Sequence, residues 1–170
     1  MGGHRTVPMA RLRALVEGLG HARVATHLNS GNVVFVAPDD AAPERLAADV
    51  AHALREDLGF EVDVLVRTRA ELDAVVAADP FPEASAEDPG RVLVTFFARD
   101  LDPDPAFDAG AYGGEQLVWA GREAYVHYAD GMGRSRLTPD VLVRAARQQG
   151  TGRNWRTVLA LRGLLADRDG

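Results

Sequence analysis

A glycine- and arginine-containing segment near the carboxyl end of the chain has the residue types that bind anions. It reads Gly131-Met132-Gly133-Arg134-Ser135-Arg136-Leu137-Thr138 and connects a predicted strand to a predicted helix. Glycines let backbone N–H groups converge, arginines donate paired hydrogen bonds to an oxyanion, and a helix start adds positive potential. Gly133, Arg134 and Ser135 are therefore candidate ligands of a phosphate or carboxylate. The alternative is a tight turn that needs glycine for positive φ, with its arginines paired to acidic residues elsewhere in the chain.

Two further polar clusters supply additional candidates for the same ligand. Arg153, Asn154 and Trp155 precede the last predicted helix and combine a charge, an amide and a stacking surface. Ser30 and Asn32 lie in the turn of the first predicted hairpin. For the cluster at 153–155, helix capping and burial of the tryptophan are the alternative explanation.

The sequence contains no recognisable catalytic constellation, so no catalytic residue is assigned. His127 and Ser135 are the side chains that an enzyme would use, but neither has a partner at a diagnostic spacing. Asp49, His52 and Glu56 share one side of a predicted helix, opposite its apolar side. That arrangement is typical of a solvated helix face, and no metal site is predicted.

The composition is that of a folded globular protein and excludes several classes of chemistry. The chain has 170 residues, of which 46% are hydrophobic and 26% charged, and it has no cysteine. Disulfides, thiolate nucleophiles and cysteine-bound zinc are therefore excluded. All 19 basic residues are arginine, which excludes a nucleotide-binding P-loop lysine. With no signal-like start and no membrane-length apolar run, we expect a cytoplasmic protein without membrane association.

The charge of the chain changes sign along its length. Residues 1–78 carry 8 arginines and 11 acidic residues, residues 79–130 carry 3 and 11, and residues 131–170 carry 8 and 3. The basic final segment either docks onto the acidic middle segment or binds an anionic ligand or partner. Overall acidity, and the lack of an RNA-recognition pattern of aromatic residues in 91–98, disfavour nucleic acid as that partner.

The first half of the chain has an alternating pattern of helix and strand signals. Apolar spacing predicts a helix over 8–19, a hairpin of strands 24–28 and 33–36, a second helix over 43–58, and a strand over 60–66. The resulting order is α-β-β-α-β. One more strand in front would complete the split βαβ plait, also called the ferredoxin-like fold.

The second half, from residue 69 onward, repeats this mixture of elements. A capping box at Thr68 and Glu71 predicts a helix, residues 91–98 a buried strand, and residues 117–128 a hairpin turning at Gly121 and Arg122. Residues 83–90 are expected to be an exposed connection. Helices are predicted over about 138–148 and after Asn154. We therefore predict an α+β protein of two fused ferredoxin-like halves, residues 1–68 and residues 69–170.

Several separate motifs make the chain resemble a known bacterial family, the domain of unknown function 1697 (DUF1697) family. The resemblance spans essentially the whole chain and implies two plait-like halves, but no established activity, substrate or catalytic residue. The motifs are Gly2-Gly3, Val7-Pro8-Met9, Leu12-Arg13-Ala14-Leu15, Asn29-Ser30-Gly31-Asn32-Val33-Val34-Phe35, Gly133-Arg134-Ser135-Arg136-Leu137-Thr138 and Arg153-Asn154-Trp155-Arg156-Thr157-Val158.

The start of the chain departs from the family pattern. Family members open with an apolar strand followed by Arg-Gly-Ile-Asn-Val-Gly-Gly, whereas this sequence begins Met1-Gly2-Gly3. The resemblance thus implies that the first half lacks its N-terminal strand, which is central in a split βαβ sheet. Our hypothesis is either that the true start lies upstream or that a strand exchanged between chains, as in a strand-swapped dimer, takes this place.

These observations lead to one main functional hypothesis and two alternatives. The main hypothesis is a protein that binds a small anionic ligand, phosphate-like or nucleotide-like, through the candidates given above. The first alternative is an enzyme with its site between the two halves, and the second is an interaction module that uses the basic C-terminal segment. No motif implies a cofactor.

Overall fold

The computed structural model describes residues 6–28, 31–101 and 104–168, and within these ranges the protein is a mixed α+β structure with two antiparallel sheets and six α-helices. In chain order the elements are α1 (Met9–Gly18), β1 (Ala22–His27), β2 (Asn32–Val36), α2 (Pro43–Leu58), α3 (Arg69–Ala77), α4 (Pro82–Glu87), β3 (Val92–Phe97), β4 (Gln116–Ala120), β5 (Glu123–His127), α5 (Pro139–Ala146), β6 (Gly150–Asn154) and α6 (Trp155–Arg168). Short 3₁₀ helices occupy Pro89–Arg91 and Ala109–Tyr112. The chain divides into two compact units, residues 1–71 with 160–170, and residues 72–159.

The first unit (residues 1–71 with 160–170) is built on α1, α2 and the β1–β2 hairpin, as the sequence predicts. Proline at the first position of α2 and left-handed Gly59 after its last residue set the ends of that helix. Arg11 of α1 pairs with Asp57 of α2, with 2.9 Å between Nη2 and Oδ1. This hydrogen bond lowers the pKa of Asp57. The hydrophobic core of the unit consists of Leu12, Val16, Val24, Val50 and Leu54.

The predicted strand over residues 60–66 is wrong, because this segment belongs to neither sheet. Its alternation of apolar and polar residues is nevertheless expressed in the packing: Val62 and Val64 contact the core of the first unit, while Glu61 and Asp63 are exposed. A strand is defined by ladder hydrogen bonds to a neighbour. The described residues supply no neighbour for this segment.

An interaction between two arginines joins β1 to the end of α6 within the first unit. The Arg23 guanidinium donates to the carbonyl oxygens of Asp167 (2.9 Å) and Arg168 (3.1 Å). Arg168 Nε in turn donates to the Arg23 carbonyl at 2.7 Å. Arg23 has a φ of 51° at an irregularity in the β1–β2 pairing. The outer edge of β1 is therefore distorted and partly engaged by another side chain.

The second unit (residues 72–159) contains a four-stranded antiparallel sheet in the order β4-β5-β3-β6. The β4–β5 hairpin follows the predicted pairing, since Leu117, Trp119, Ala124, Val126 and Tyr128 all belong to one core cluster. Strand β3 lies between β5 and β6, and all six of its residues are buried. Helix α5 connects β5 to β6 and packs its Leu142 into the same core.

Two elements of the second unit differ from the sequence prediction. Residues 82–87 form helix α4 rather than an exposed connection. Residues 150–154, interpreted only as a polar cluster before a helix, form edge strand β6, which pairs with β3 in the register Thr95↔Gly152. Strand propensity misses Gly150-Thr151-Gly152 because glycine is a poor strand former. Here packing requires it, since a Cβ on Gly152 would lie 2.8 Å from Pro139 Cγ, and one on Gly150 would lie 2.9 Å from Phe97 Cδ1.

We predict that Gly152→Ala lowers the free energy of unfolding by about 1–3 kcal/mol, because the added methyl group overlaps Pro139 and Leu93. Gly163→Ala in α6 is the matched control. A Cβ there meets no atom within 4 Å, so replacing helical glycine should raise stability by about 0.5–1 kcal/mol. Urea unfolding followed by circular dichroism measures both changes. Equal effects of the two substitutions would contradict the close packing of α5 on β6.

Candidate anion-binding site

The segment that connects β5 to α5 forms an ordered turn in the second unit. Gly131 has a φ of 85°, and its N–H donates to the Tyr128 carbonyl at 3.0 Å. The Ser135 N–H donates to the Met132 carbonyl at 3.1 Å, and Ser135 Oγ accepts from the Leu137 N–H at 3.0 Å. We refer to residues 131–138 as the arginine turn. The positive φ expected for a glycine in this turn is thus observed at Gly131.

Buried side chains hold the base of the arginine turn in place. Leu137 is almost fully buried in the core of the second unit, and the Tyr128 hydroxyl donates to its carbonyl oxygen at 2.6 Å. Burial, together with the charge of Glu115, raises the pKa of Tyr128 to about 12. Thr138 Oγ1 accepts from the Val141 N–H and caps α5. The backbone of the turn is therefore anchored from inside the unit.

The two arginines of the turn point outward and differ in their contacts. Arg136 is exposed and donates from Nη2 to the Ala111 carbonyl at 3.2 Å, which ties the turn to the 3₁₀ helix at 109–112. Arg134 is exposed and makes no hydrogen bond or ion pair with the residues that the structure describes. Neither arginine pairs with a described acidic residue of the 79–130 segment. The sequence-based alternative, in which these arginines neutralise the acidic middle segment, therefore gains no support from the described residues and stays a prediction.

Gly133 is not required by the conformation of the turn. Its φ lies outside the left-handed region, and a Cβ placed on it would meet no atom within 4 Å. Backbone strain and crowding, the two structural reasons for glycine, therefore do not apply here. What the glycine does provide is close access to the backbone next to Arg134. Among the described residues, the N–H groups of Gly133 and Arg134 donate to no acceptor.

The positive potential at this surface comes mainly from side chains. The N-terminal end of α5 offers an anion little, because Pro139 has no N–H and the N–H groups of Val141 and Leu142 donate to Thr138. Asp140 in the first turn also places a negative charge there.

Arg144 in the last turn of α5 and Arg147 after it lie at the other end of the helix; both are exposed and form no ion pair with described residues. At the turn itself the cationic groups are therefore the guanidinium groups of Arg134 and Arg136.

Strand β6 carries the second predicted cluster, and the structure gives these residues structural contacts. Asn154 Oδ1 accepts from the Thr157 N–H at 3.0 Å and caps α6, and Trp155 is 4% exposed. Both contacts match the capping and burial alternative. Arg153 donates from Nη1 to Thr151 Oγ1 at 2.6 Å and to the Gly152 carbonyl at 2.8 Å. Burial lowers the pKa of Arg153.

The geometry of β6 separates Arg153 from the side of the sheet that carries α5. Gly150 and Gly152 face α5, as their Cβ positions beside Val143 and Pro139 show. Successive strand residues alternate between faces, so Arg153 projects from the opposite face. The arginine turn leads directly into α5, so Arg153 is not grouped with Arg134.

The remaining sequence candidates lie elsewhere. Asn32 belongs to the first unit, is buried, and donates from Nδ2 to the His27 carbonyl at 3.1 Å across the hairpin. Ser30 lies outside the described residues. His127 has its Nδ1 3.4 Å from Gln116 Oε1 and its ring 5.7 Å from that of Phe81.

Sequence reasoning placed Arg136 in the motif but not among the ligand candidates. Its distinguishing feature is the anchoring bond to Ala111, 25 residues away in the chain. The only sequence signal for such a role is the spacing Arg134-Ser135-Arg136, in which two arginines flank one serine. This signal does not tell which arginine is anchored and which is available.

Among the described residues, no group of three or more His, Asp or Glu side chains is arranged to hold a metal ion. Within the same residues, none of the helices has the length and apolarity needed to cross a membrane.

A family model supplies the relationship that the motifs suggested. The model described as "Protein of unknown function (DUF1697)" matches residues 1–125. The chain belongs to this family. The DUF1697 match confirms the resemblance, but it ends before the arginine turn, so family membership by itself says nothing about Arg134.

The similarity of this chain to one solved structure extends over nearly its whole length. The conserved bacterial protein SP0830 from Streptococcus pneumoniae has 18% sequence identity and a TM-score of 0.64, with 97% of this chain and 92% of that chain covered. At this identity the likeness establishes the fold and nothing more. A search of curated proteins gives no match.

We predict that Tyr128→Phe destabilises the protein by about 1–2 kcal/mol at neutral pH, because the Leu137 carbonyl loses its donor. Stability should also depend less on pH in this variant. The folded state keeps the Tyr128 proton up to a pKa of about 12, against 10.0 when exposed, so the wild-type free energy of unfolding falls as pH rises through that interval. Urea unfolding at several pH values measures both effects.

Tyr112→Phe is the control, since the Tyr112 hydroxyl makes no hydrogen bond with the described residues. Its free energy of unfolding at neutral pH should stay within about 0.5 kcal/mol of wild type. A Tyr128→Phe protein as stable as the Tyr112→Phe protein would show that the Leu137 contact does not hold the turn.

Proposed function

We propose that this protein binds a small anionic ligand, phosphate-like or nucleotide-like, at the arginine turn. The ligand's oxyanion would accept hydrogen bonds from the Arg134 guanidinium and from the backbone N–H groups of Gly133 and Arg134. Arg136 holds the turn in position through Ala111 rather than serving as the main ligand.

The observation that carries this proposal is the exposed Arg134 guanidinium, which has no partner among the described residues although the protein has a net charge of −6. Other exposed arginines of the chain, such as Arg11 and Arg45, pair with a carboxylate. An arginine held on an anchored turn without one keeps all its donors available. An exposed guanidinium costs little to maintain and binds an oxyanion in a bidentate manner.

The glycine next to this arginine supports the same proposal. Because no packing or φ requirement explains Gly133, its lack of a side chain leaves the adjacent N–H groups accessible. Convergent backbone N–H groups beside a cationic side chain are a common arrangement for phosphate. The hydroxyl of Ser135 already accepts from Leu137 N–H, but it retains a proton that can be donated to a ligand oxygen.

The two alternative functions stay predictions. Ser135 has no base in hydrogen-bond contact among the described residues, and His127 contacts an amide and an aromatic ring rather than an acid. The interaction-module hypothesis draws on Arg144 and Arg147, whose exposed guanidinium groups are also unpaired with described acidic residues.

We also propose that both units are variants of the ferredoxin-like plait. The strand order β4-β5-β3-β6 in the second unit supports this. In the plait each of the two crossovers, here β3 to β4 and β5 to β6, has one strand of the other crossover between its own two strands. The first crossover, from β3 to β4, contains a 3₁₀ helix in place of an α-helix. The first unit has a hairpin and a following helix in the matching positions.

We predict that phosphate or a nucleotide from a small panel raises the melting temperature of the wild-type protein and that Arg134→Ala abolishes the increase. A ligand at about 100 times its Kd adds about 2.7 kcal/mol, which corresponds to roughly 5–10 °C for a chain of this size. Differential scanning fluorimetry measures the shift.

Arg144→Ala is the matched control for charge, since it removes another exposed arginine that lies outside the turn and has no ion pair with the described residues. The control should keep most of the ligand-induced shift. A flat response of the wild-type protein to the whole panel, or equal loss in both variants, would reject the proposed site.

We predict that alanine substitutions at the two glycines of the turn separate stability from binding. Gly131→Ala should destabilise the protein by about 1–2 kcal/mol, because its φ of 85° is unfavourable for alanine. Gly133→Ala should be neutral or raise stability by up to about 1 kcal/mol, yet weaken the ligand-induced shift. Thermal melts with and without ligand test both effects, and a Gly133→Ala protein with undiminished ligand response would refute the role given to Gly133.

A further inference from the structure

Four aromatic rings form a continuous series of contacts in the second unit. The ring centroid of Phe97 lies 6.1 Å from that of Trp119, and Phe107 contacts Trp119 edge-on at 6.2 Å. Phe107 also stacks on Tyr112, with 5.4 Å between centroids and 18° between ring planes. Phe97 is fully buried, whereas Tyr112 is half-buried. The series therefore starts in the core and ends at the surface with Tyr112.

Tyr112 is the outermost ring of this series and has one face without a ring partner. Phe107 is the only aromatic ring that it contacts among the described residues. Flat aromatic side chains of this kind favour stacking with a further planar ring. Because Tyr112 packs against the core of the second unit, it would lose little conformational freedom when such a ring stacks on it.

The backbone that carries Tyr112 is fixed next to the arginine turn. Arg136 of the turn donates to the Ala111 carbonyl at 3.2 Å, and Ala111 directly precedes Tyr112. Met132 of the turn packs against the same core cluster as Tyr112. The anion site proposed at Arg134 and the ring of Tyr112 therefore belong to adjoining segments of one unit.

The charges of these two segments have opposite signs. Arg134 and Arg136 are exposed cations of the turn. Asp108 and Glu115 flank the 3₁₀ helix at 109–112, and neither forms an ion pair with described residues. Additional phosphate groups that extended toward this helix would be repelled by the two carboxylates, whereas an uncharged ring would not. This polarity suits a ligand with one anionic end and one uncharged aromatic end.

We infer that the arginine turn and Tyr112 together bind a nucleoside monophosphate, with its phosphate at Arg134 and its base stacked on Tyr112. This assignment rests on the anion site proposed above and adds the chemical class of the ligand. Stacking of one base on an aromatic side chain changes affinity by about 5- to 150-fold. The base therefore contributes enough to distinguish a nucleotide from a simple phosphate ester.

Four small molecules that share parts of one structure test the assignment on the full-length protein. Adenosine 5′-monophosphate should bind at least about fivefold more tightly than ribose 5-phosphate, because only the nucleotide has a base to stack. Adenosine should bind more weakly than the monophosphate, because it has no phosphate for Arg134. Adenosine 5′-diphosphate should bind no more tightly than the monophosphate. Isothermal titration calorimetry measures the four dissociation constants.

Substitutions at Tyr112 separate stacking from the anion contact. Tyr112→Leu keeps an apolar side chain against Phe107 but removes the flat ring, so it should bind adenosine 5′-monophosphate only as tightly as ribose 5-phosphate. Tyr112→Phe restores the ring and should recover most of the preference for the nucleotide. Phe81→Leu is the control, because the Phe81 ring contacts His127 and is not part of the series. Circular dichroism melts establish that each variant is folded.

The possible results distinguish this assignment from the anion site on which it rests. Equal binding of adenosine 5′-monophosphate and ribose 5-phosphate, with both lost in Arg134→Ala, would overturn the assignment and support the anion site. Absence of binding for all four molecules and for inorganic phosphate would overturn both. An unchanged nucleotide preference in Tyr112→Leu, or an equal loss in Phe81→Leu, would place the base elsewhere and reject the role of Tyr112. Tighter binding of the diphosphate would reject the choice of a single phosphate group.

Discussion

The second unit depends on the pairing of one buried strand. Every residue of β3 is buried, so each of its backbone N–H and C=O groups must find a partner within the protein. Strands β5 and β6 provide these partners on either side. Because β3 is the only strand that pairs with β6 among the described residues, and because α5 must cross the sheet to connect β5 with β6, the position of β3 also determines where α5 begins. The arginine turn is the connection that this arrangement creates.

The arginine turn lies at the surface, but contacts with buried residues fix its backbone. Tyr128 and Leu137 join the start and end of the turn through a buried hydrogen bond, and Arg136 attaches its middle to Ala111. Within the described part of the chain, the remaining residues Gly133 and Arg134 make no hydrogen bond that holds the turn. A guanidinium that is presented by a rigid backbone loses less conformational entropy on binding than one on a mobile loop.

Much of the secondary structure follows from local sequence, whereas the second cluster of site candidates does not. Helices α1, α2 and α5 and both hairpins are set by apolar spacing, proline at the first helical position and turn residues. Strand β6 is not recognised from the sequence because glycine is a poor strand former. Gly150 and Gly152 are needed instead for close packing against Phe97 and Pro139. The placement of Arg153 on the face of the sheet opposite α5 is hidden from local sequence for a related reason, since the face on which a strand residue points is known only once the strand itself is recognised.

By itself, the sequence determined the family, the α+β composition and the location of the arginine turn between a strand and a helix. Tertiary structure alone decided which arginine is anchored, that neither Arg134 nor Arg136 pairs with a described acidic residue of the middle segment, and that residues 60–66 lack a ladder neighbour among the described residues. The physical reason is the separation along the chain over which each kind of interaction acts. Propensity and capping act within a few residues, whereas ladder hydrogen bonds and charge pairing join residues far apart in the chain.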